Sequence, residues 1–346
     1  MFLVLEHLFP EDWLEKKVRY AFIIAAIYST LGIIAARLLF GANSGIVSVI
    51  FTSLLILPYL QKMFSKEELE EEQEAAVSFT RFQSVKRFIK KNQTIRVYFA
   101  IFFGIYLMYA IDSFLLPQLG VNTFDVFKEQ LFVDPALRGR AFDTGTAVSI
   151  ITNNWWVLLV CFLLSIATGD GAIFFITWNA SSWGALFGYR AFSAAAFSGA
   201  NPLWYLFLVL TITLPHVLLE GGAYILAAIS GNIISDEIIK EKQDIRNFII
   251  YSVFAAALMF MLYFLFRVLA LSMITFSIIS ILIIVPALHF IGRLFQQKRL
   301  KKVFIQNYDL FILALALFII GAVVETLVLN HSGALNQVYA FSMMYS

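Results

Sequence analysis

Five polar side chains interrupt an otherwise apolar stretch of this chain: Asn153, Asn154, Asn179, His216 and Glu220. His216 and Glu220 stand four residues apart, which on a helix sets them about 40° from each other on one face. An imidazole and a carboxylate so placed can hold a metal, exchange a proton or hydrogen-bond a neighbouring helix. A zinc site needs a further protein ligand, and His289 is the other histidine within an apolar run. The chain has no HExxH, CxxC or nucleotide-binding glycine motif, so the reading is non-enzymatic, with no catalytic residue, metal ligand or cofactor assigned. Glu220 sets the strongest constraint. An acidic side chain at the centre of a membrane helix costs about 2.5–3.5 kcal/mol on insertion scales, so it must face protein or water. Three uses of the cluster stay open: a sealed polar lock between helices, a path for an ion, proton or small solute, and an intramembrane metal-dependent hydrolase. The lock is the leading one.

Such residues need helices to hold them. Of the 346 residues, 60% are hydrophobic and only 14% charged, against about 25% charged in an average soluble domain. Runs of about 20 apolar residues recur, each long enough at 1.5 Å per residue to cross about 30 Å of hydrocarbon. Continuous runs, rather than short alternating segments, favour helices over a β-barrel. The expected fold is all-α: a polytopic transmembrane helical bundle of about 7–9 spans, with broken or kinked helices in the middle region. Spans are expected at 21–40, 46–60, 97–116, 147–168, 172–192, 202–234, 248–266, 268–290 and 310–329. A net charge of +2 suggests no polyanionic partner such as nucleic acid; the lipid bilayer is one expected partner, with protein partners or a second copy of the chain besides. The single cysteine, Cys161, lies in an apolar run and reads as a core residue.

The chain divides into four regions. Residues 1–20 read as an interfacial N-terminal helix that is retained, since acidic residues replace the basic segment of a signal peptide. Residues 21–60 form a transmembrane hairpin. Residues 61–96 form a cytoplasmic connection, acidic at 67–74 and then amphipathic through Phe79, Phe82, Val85, Phe88 and Ile89. Residues 97–346 form the main transmembrane domain. All but six of the 25 Lys and Arg fall in connections on one side of this arrangement, the six being Arg37, Lys128, Arg138, Arg140, Arg190 and Arg267. Positive charge stays inside, so the N-terminus is expected in the cytoplasm and the C-terminus outside, in a multi-pass cell-membrane protein. This orientation permits one or three crossings between 147 and 234. Three are expected; the alternative makes 172–201 re-entrant. Arg37, Asp112 and Glu325 fall near span ends, where snorkelling is cheap, and Asp170 between two glycines reads as a turn residue.

A straight helix over 202–234 would be about 50 Å long at 1.5 Å per residue, more than one crossing needs. Pro215 is therefore expected to break or kink it. Ala223, Ala227 and Gly231 share the face of His216 and Glu220, and small residues let helices approach closely. Gly184 and Gly188 in the preceding span offer a matching smooth surface. The simplest packing presses these two helices together and buries Asn179, His216 and Glu220 at their contact.

The order of these residues resembles one family. Asn153-Asn154, then Phe162 with Gly169 and Gly171, then Asn179 with Gly184 and Gly188, then Pro215-His216 and Glu220 is similar to the stage II sporulation protein M family. That family has paired asparagines opening an apolar helix, a helix of Asn and Gly, and a Pro-His-Gly-x-x-Glu segment followed by small residues; here Val217 stands in place of the glycine. The likeness is strongest over 147–234 and makes 97–346 a domain of that kind, with the hairpin 21–60 an addition. In sporulating bacteria the namesake is a membrane component of a complex with peptidoglycan hydrolases, and relatives occur in bacteria and archaea that make no spores. The resemblance thus implies a membrane-embedded scaffold or partner-anchoring protein.

Overall fold

A computed structural model describes residues 18–41, 44–74, 93–131, 144–240, 264, 272–295 and 298–345. The expected N-terminal interfacial segment up to residue 17, the amphipathic stretch 79–89, Arg138, Arg140, Arg267 and, apart from Phe264, the span 248–266 lie outside the described residues.

Every regular element among the described residues is helical: α1 (Val18–Phe40), α2 (Ser44–Glu74), α3 (Gln93–Leu115), the short α4 (Thr123–Val126) and α5 (Lys128–Leu131), α6 (Thr144–Thr168), α7 (Ile173–Ser198), α8 (Pro202–Lys240), α9 (Met273–Leu294), α10 (Lys298–His331) and α11 (Gly333–Tyr345). Among these residues six segments are long and apolar enough to cross a membrane: Val18–Phe40, Gln93–Leu119, Ala147–Thr168, Pro202–Ser235, Ile274–Arg293 and Leu300–His331. Ser44–Leu60 is a shorter apolar helix. The protein is an all-α bundle of membrane helices.

Local chemistry explains where elements begin and end. Gly169 closes α6 and Gly199 closes α7, both at positive φ (72° and 68°) where a side chain would be strained. The expected span 268–290 starts later, because the Ser272 side chain accepts the Thr275 N–H at 3.1 Å and caps α9 there. The expected span 310–329 is the apolar part of a longer helix that begins at Lys298. Lysine and arginine are good helix formers, so the basic run 298–302 extends α10 beyond its apolar part. The helix α11 has no counterpart among the expected elements. It is capped by Ser332, whose Oγ accepts the Leu335 N–H at 3.2 Å.

Helix continuity bears on two of the readings. The break at Pro215 does not occur: α8 runs for 39 residues with Pro215 inside it. Proline removes one backbone donor, whereas the helix beyond it is gripped on all sides, with residues 220–232 buried throughout, so packing outweighs the local penalty. α7 is likewise unbroken over 26 residues, whereas a re-entrant path through 172–201 would need an interruption.

α8 is the central helix, in contact with α10, α6, α7 and α3. The N-terminal hairpin is sewn to α3. The Gly104 backbone sits against the Phe22 carbonyl of α1, and the Ser48 and Tyr109 hydroxyls share a hydrogen bond of 2.8 Å. At the hairpin's turn, Ser44 Oγ donates to the Val126 carbonyl at 3.1 Å, and Gln130 Nε2 to the Gly45 carbonyl at 2.9 Å.

Candidate functional site: the junction around Glu220

Glu220 lies in the middle of α8, its side chain 1% exposed. Asn154 of α6 donates its Nδ2–H to Glu220 Oε2 at 2.9 Å, and Asn153 Nδ2–H donates to Asn154 Oδ1 at 3.1 Å. The asparagine pair therefore forms a short chain from the exposed Asn153 to the buried carboxylate.

Helix register makes this contact possible. α6 and α8 lie side by side in the same direction, with Asn154 against Glu220 and, further along, Ser165 against Gly231. Gly231 has no Cβ because the Phe162 carbonyl occupies that place. α10 runs the other way along α8. The Ser230 hydroxyl donates to the Asn307 carbonyl, while Gly321 rests on Leu219 and Glu220. A side chain at position 321 would collide with Glu220 Cγ, so this glycine lets a third helix close over the carboxylate.

Two groups that sequence reasoning missed gather here. Glu325 follows Gly321 by one turn of α10, and Tyr224, fully buried, follows Glu220 by one turn of α8. Tyr224 lies within electrostatic reach of both Glu220 and Glu325. Helical side chains lean toward their own N-termini, and α8 and α10 are antiparallel, so Glu220 and Glu325 lean toward each other. Position near a span end had assigned Glu325 to the membrane surface. The signal that could have found it is Gly321-x-x-x-Glu325, a small residue and an acid on one face of an apolar helix. The same holds for Trp155 and Trp156, whose indole N–H groups donate to Ser280 (2.8 Å) and Ser277 (3.0 Å) of α9. The four residues from Asn153 to Trp156 thus bind α6 to α8 on one side and to α9 on the other.

The other predicted residues are distributed differently from expectation. His216 is buried, but its ring meets Trp183 and Phe187 of α7 edge to face, at 6.4 and 6.3 Å between centroids. One stripe of α8 thus serves two sets of neighbours. Asn179 does not join Glu220: its Nδ2–H donates to the Phe175 carbonyl of its own helix at 2.7 Å. Gly184 and Gly188 do not face Ala223, Ala227 and Gly231. They lie on the backbone of α3, at Tyr106 and Ala110, while Gly231 lies on α6. Ala223 and Ala227 are fully buried. Periodicity shows that a helix face is smooth; it does not show which helix meets it. Val217 is fully buried too, and the two glycines after Glu220 accommodate rings of α3, Gly221 that of Phe102 and Gly222 that of Phe99.

Among the described residues no three His, Cys, Asp or Glu side chains are grouped to hold a metal ion. His289 lies against the Tyr308 ring, at 5.2 Å between centroids. A crevice between α2 and the α6–α7 turn is lined by Ile50, Leu54, Leu57, Thr168 and Phe174. Thr168 is about 21 Å along α6 from Asn154 by helix rise, so the crevice is remote from the carboxylate.

Fold and site together define a polytopic membrane protein built around one central helix, whose buried carboxylate is clasped by an asparagine of a neighbour and covered by a third helix. Residues 93–266 match the family described as Stage II sporulation protein M, half of the chain, and the chain belongs to that family. No curated protein and no solved structure matches it. The matched segment holds α3, α6, α7 and α8, and with them Asn153, Asn154, His216 and Glu220. Gly321 and Glu325 reach the junction from outside it.

Proposed function

We propose that this protein is a non-enzymatic scaffold of the cell membrane, a rigid helical platform that anchors partner proteins, with Asn154 and Glu220 as the lock that fixes its central helices. The observation that carries the reading is the enclosure of Glu220. The carboxylate is 1% exposed, bonded to Asn154 and overlain by α10 at Gly321. A permeation site needs water or solute at its polar groups, whereas here Asn154 holds one oxygen of the carboxylate and α10 closes over the side chain. Interhelical hydrogen bonds of this kind fix register and orientation, which is what a scaffold requires of its core.

The test is reconstitution of the wild-type protein and Glu220→Gln into liposomes, with dye-reported H⁺, Na⁺ and K⁺ flux measured beside thermal stability. The expected result is flux no greater than that of empty liposomes for both proteins, with lower stability for the variant. A variant that stays folded and assembled, yet loses a flux the wild type possesses, overturns the reading. Photo-crosslinking in native membranes supplies the second arm. Probes at the exposed Trp204 and Leu282 are expected to capture discrete protein adducts, and their absence from every exposed position tried sinks the scaffold role.

A further inference from the structure

The side of α8 turned toward α3 and α7 carries polar atoms that the lock does not use. His216 is 3% exposed, and its Nδ1 has no hydrogen-bond partner among the described residues. Tyr106 of α3 is also 3% exposed, and its hydroxyl is in the same condition. The two are neighbours. The Tyr106 hydroxyl faces Thr213, whose own proton is given to the Val209 carbonyl at 2.8 Å, and Thr213 precedes His216 by three residues on the same face of α8. Both rings flank Phe187, each at 6.3 Å between centroids. Trp183 stands beside His216, on the approach to Tyr224.

The chemistry narrows what can complete this site. A neutral imidazole presents one donor and one acceptor nitrogen, and a phenol hydroxyl both gives and takes a proton. The surrounding aromatic rings give a larger solute no polar groups and little room. The occupant must be small, uncharged, and able both to donate and to accept. We propose that α3, α7 and α8 enclose a bound water that bridges Tyr106 Oη and His216 Nδ1. The central helix is then hydrated where it meets α3 and α7. Neither Asn154 nor Glu220 enters the argument, so it stands whether or not the scaffold reading does.

X-ray-generated hydroxyl radicals test this on the intact wild-type protein, because they form from water in place and oxidise only side chains beside it. Tyr106, His216, Trp183 and Phe187 are expected to be labelled several-fold above Phe162 and Phe311, which are fully buried and stacked on each other at 4.3 Å. Labelling of all four at the level of those two controls overturns the proposal. Tyr106→Phe, His216→Phe and the double variant give an independent reading. With a bridging water, each single change lowers Tm by about 2–4 °C, and the double change lowers it no further than the larger single one. A Tyr106→Phe protein as stable as the wild type or more so, with additive changes, means a dry site and also overturns the proposal. Should His216→Phe not fold, radical labelling of the wild type decides alone.

Discussion

Asn154 and Glu220 can be told apart by substitution, because one end of their hydrogen bond is a donor and the other an acceptor. Asn154→Ala takes the donor away and leaves the buried carboxylate short of it. Glu220→Gln keeps the shape and an oxygen that can still accept. Interhelical hydrogen bonds in membranes average about 0.6 kcal/mol and reach about 1.7, and a buried carboxyl oxygen left without its donor adds to the loss. The expected order is therefore a loss of about 1–2 kcal/mol for Asn154→Ala and a smaller loss for Glu220→Gln, read from unfolding in mixed micelles. The reverse order would mean that the charge, and not the bond, holds the junction. At this scale the sequence was informative about which residues are costly and silent about their partners. Glu220 announced itself because a carboxylate in a span must be satisfied, and the Asn153-Asn154 pair was recognisable as polar within an apolar helix. Asn179 has the same composition signal, yet its amide closes on its own helix, a choice made by a single rotamer. Glu325 lies near a span end, where the snorkelling rule considers depth and ignores the neighbouring helix.

Glycines decide how the elements pack, and the sequence identified them without their contacts. Gly188 has the Ala110 carbonyl where its Cβ would be. Backbone cannot swing aside as a long side chain can, so Gly188→Ala forces α3 and α7 apart and is expected to cost about 1–3 kcal/mol. Gly333 opens α11 and has nothing within reach of an added Cβ, so Gly333→Ala is expected to stay within about 0.5 kcal/mol of the wild type. Equal effects at the two positions would show that α3 and α7 do not pack as closely as described. Pro215 supplies the converse case. Local rules call for a helix break there, but α8 continues and the proline side is exposed. Pro215→Ala restores the donor to an already formed helix and is expected to leave melting unchanged or raise it; a clear fall would mean that the missing donor shapes α8 after all. Helix existence and type were legible because apolar runs of span length have few alternatives. Limits set by caps, such as Ser272 and Ser332, depended on single side chains whose choice between capping and facing solvent is tertiary.

At the scale of the molecule, the family match begins at residue 93 and leaves the hairpin α1–α2 outside it. The family resemblance makes the hairpin an added module, and nothing in a span's hydropathy records what it packs against. The structure gives the hairpin a different standing. It fills the groove at Gly104, supplies Ser48 to the buried Tyr109 hydroxyl, and ties Ser44 and Gly45 to Val126 and Gln130. Removing residues 1–60 would leave Tyr109 without that partner inside the membrane, where no water replaces it, and would strip α3 of a neighbour along much of its length. A chain of residues 61–346 alone is therefore expected to aggregate or melt well below the full protein. Residues 1–60 and 61–346 expressed as separate pieces are expected to copurify as one particle with near-native melting, because the contacts are between helix faces and do not need the connection. Size-exclusion chromatography and thermal melting of the three preparations distinguish the cases. If 61–346 alone proves monodisperse and as stable as the whole, the hairpin is an accessory. Failure of the pieces to reassemble would instead place its contribution in chain connectivity and not in packing.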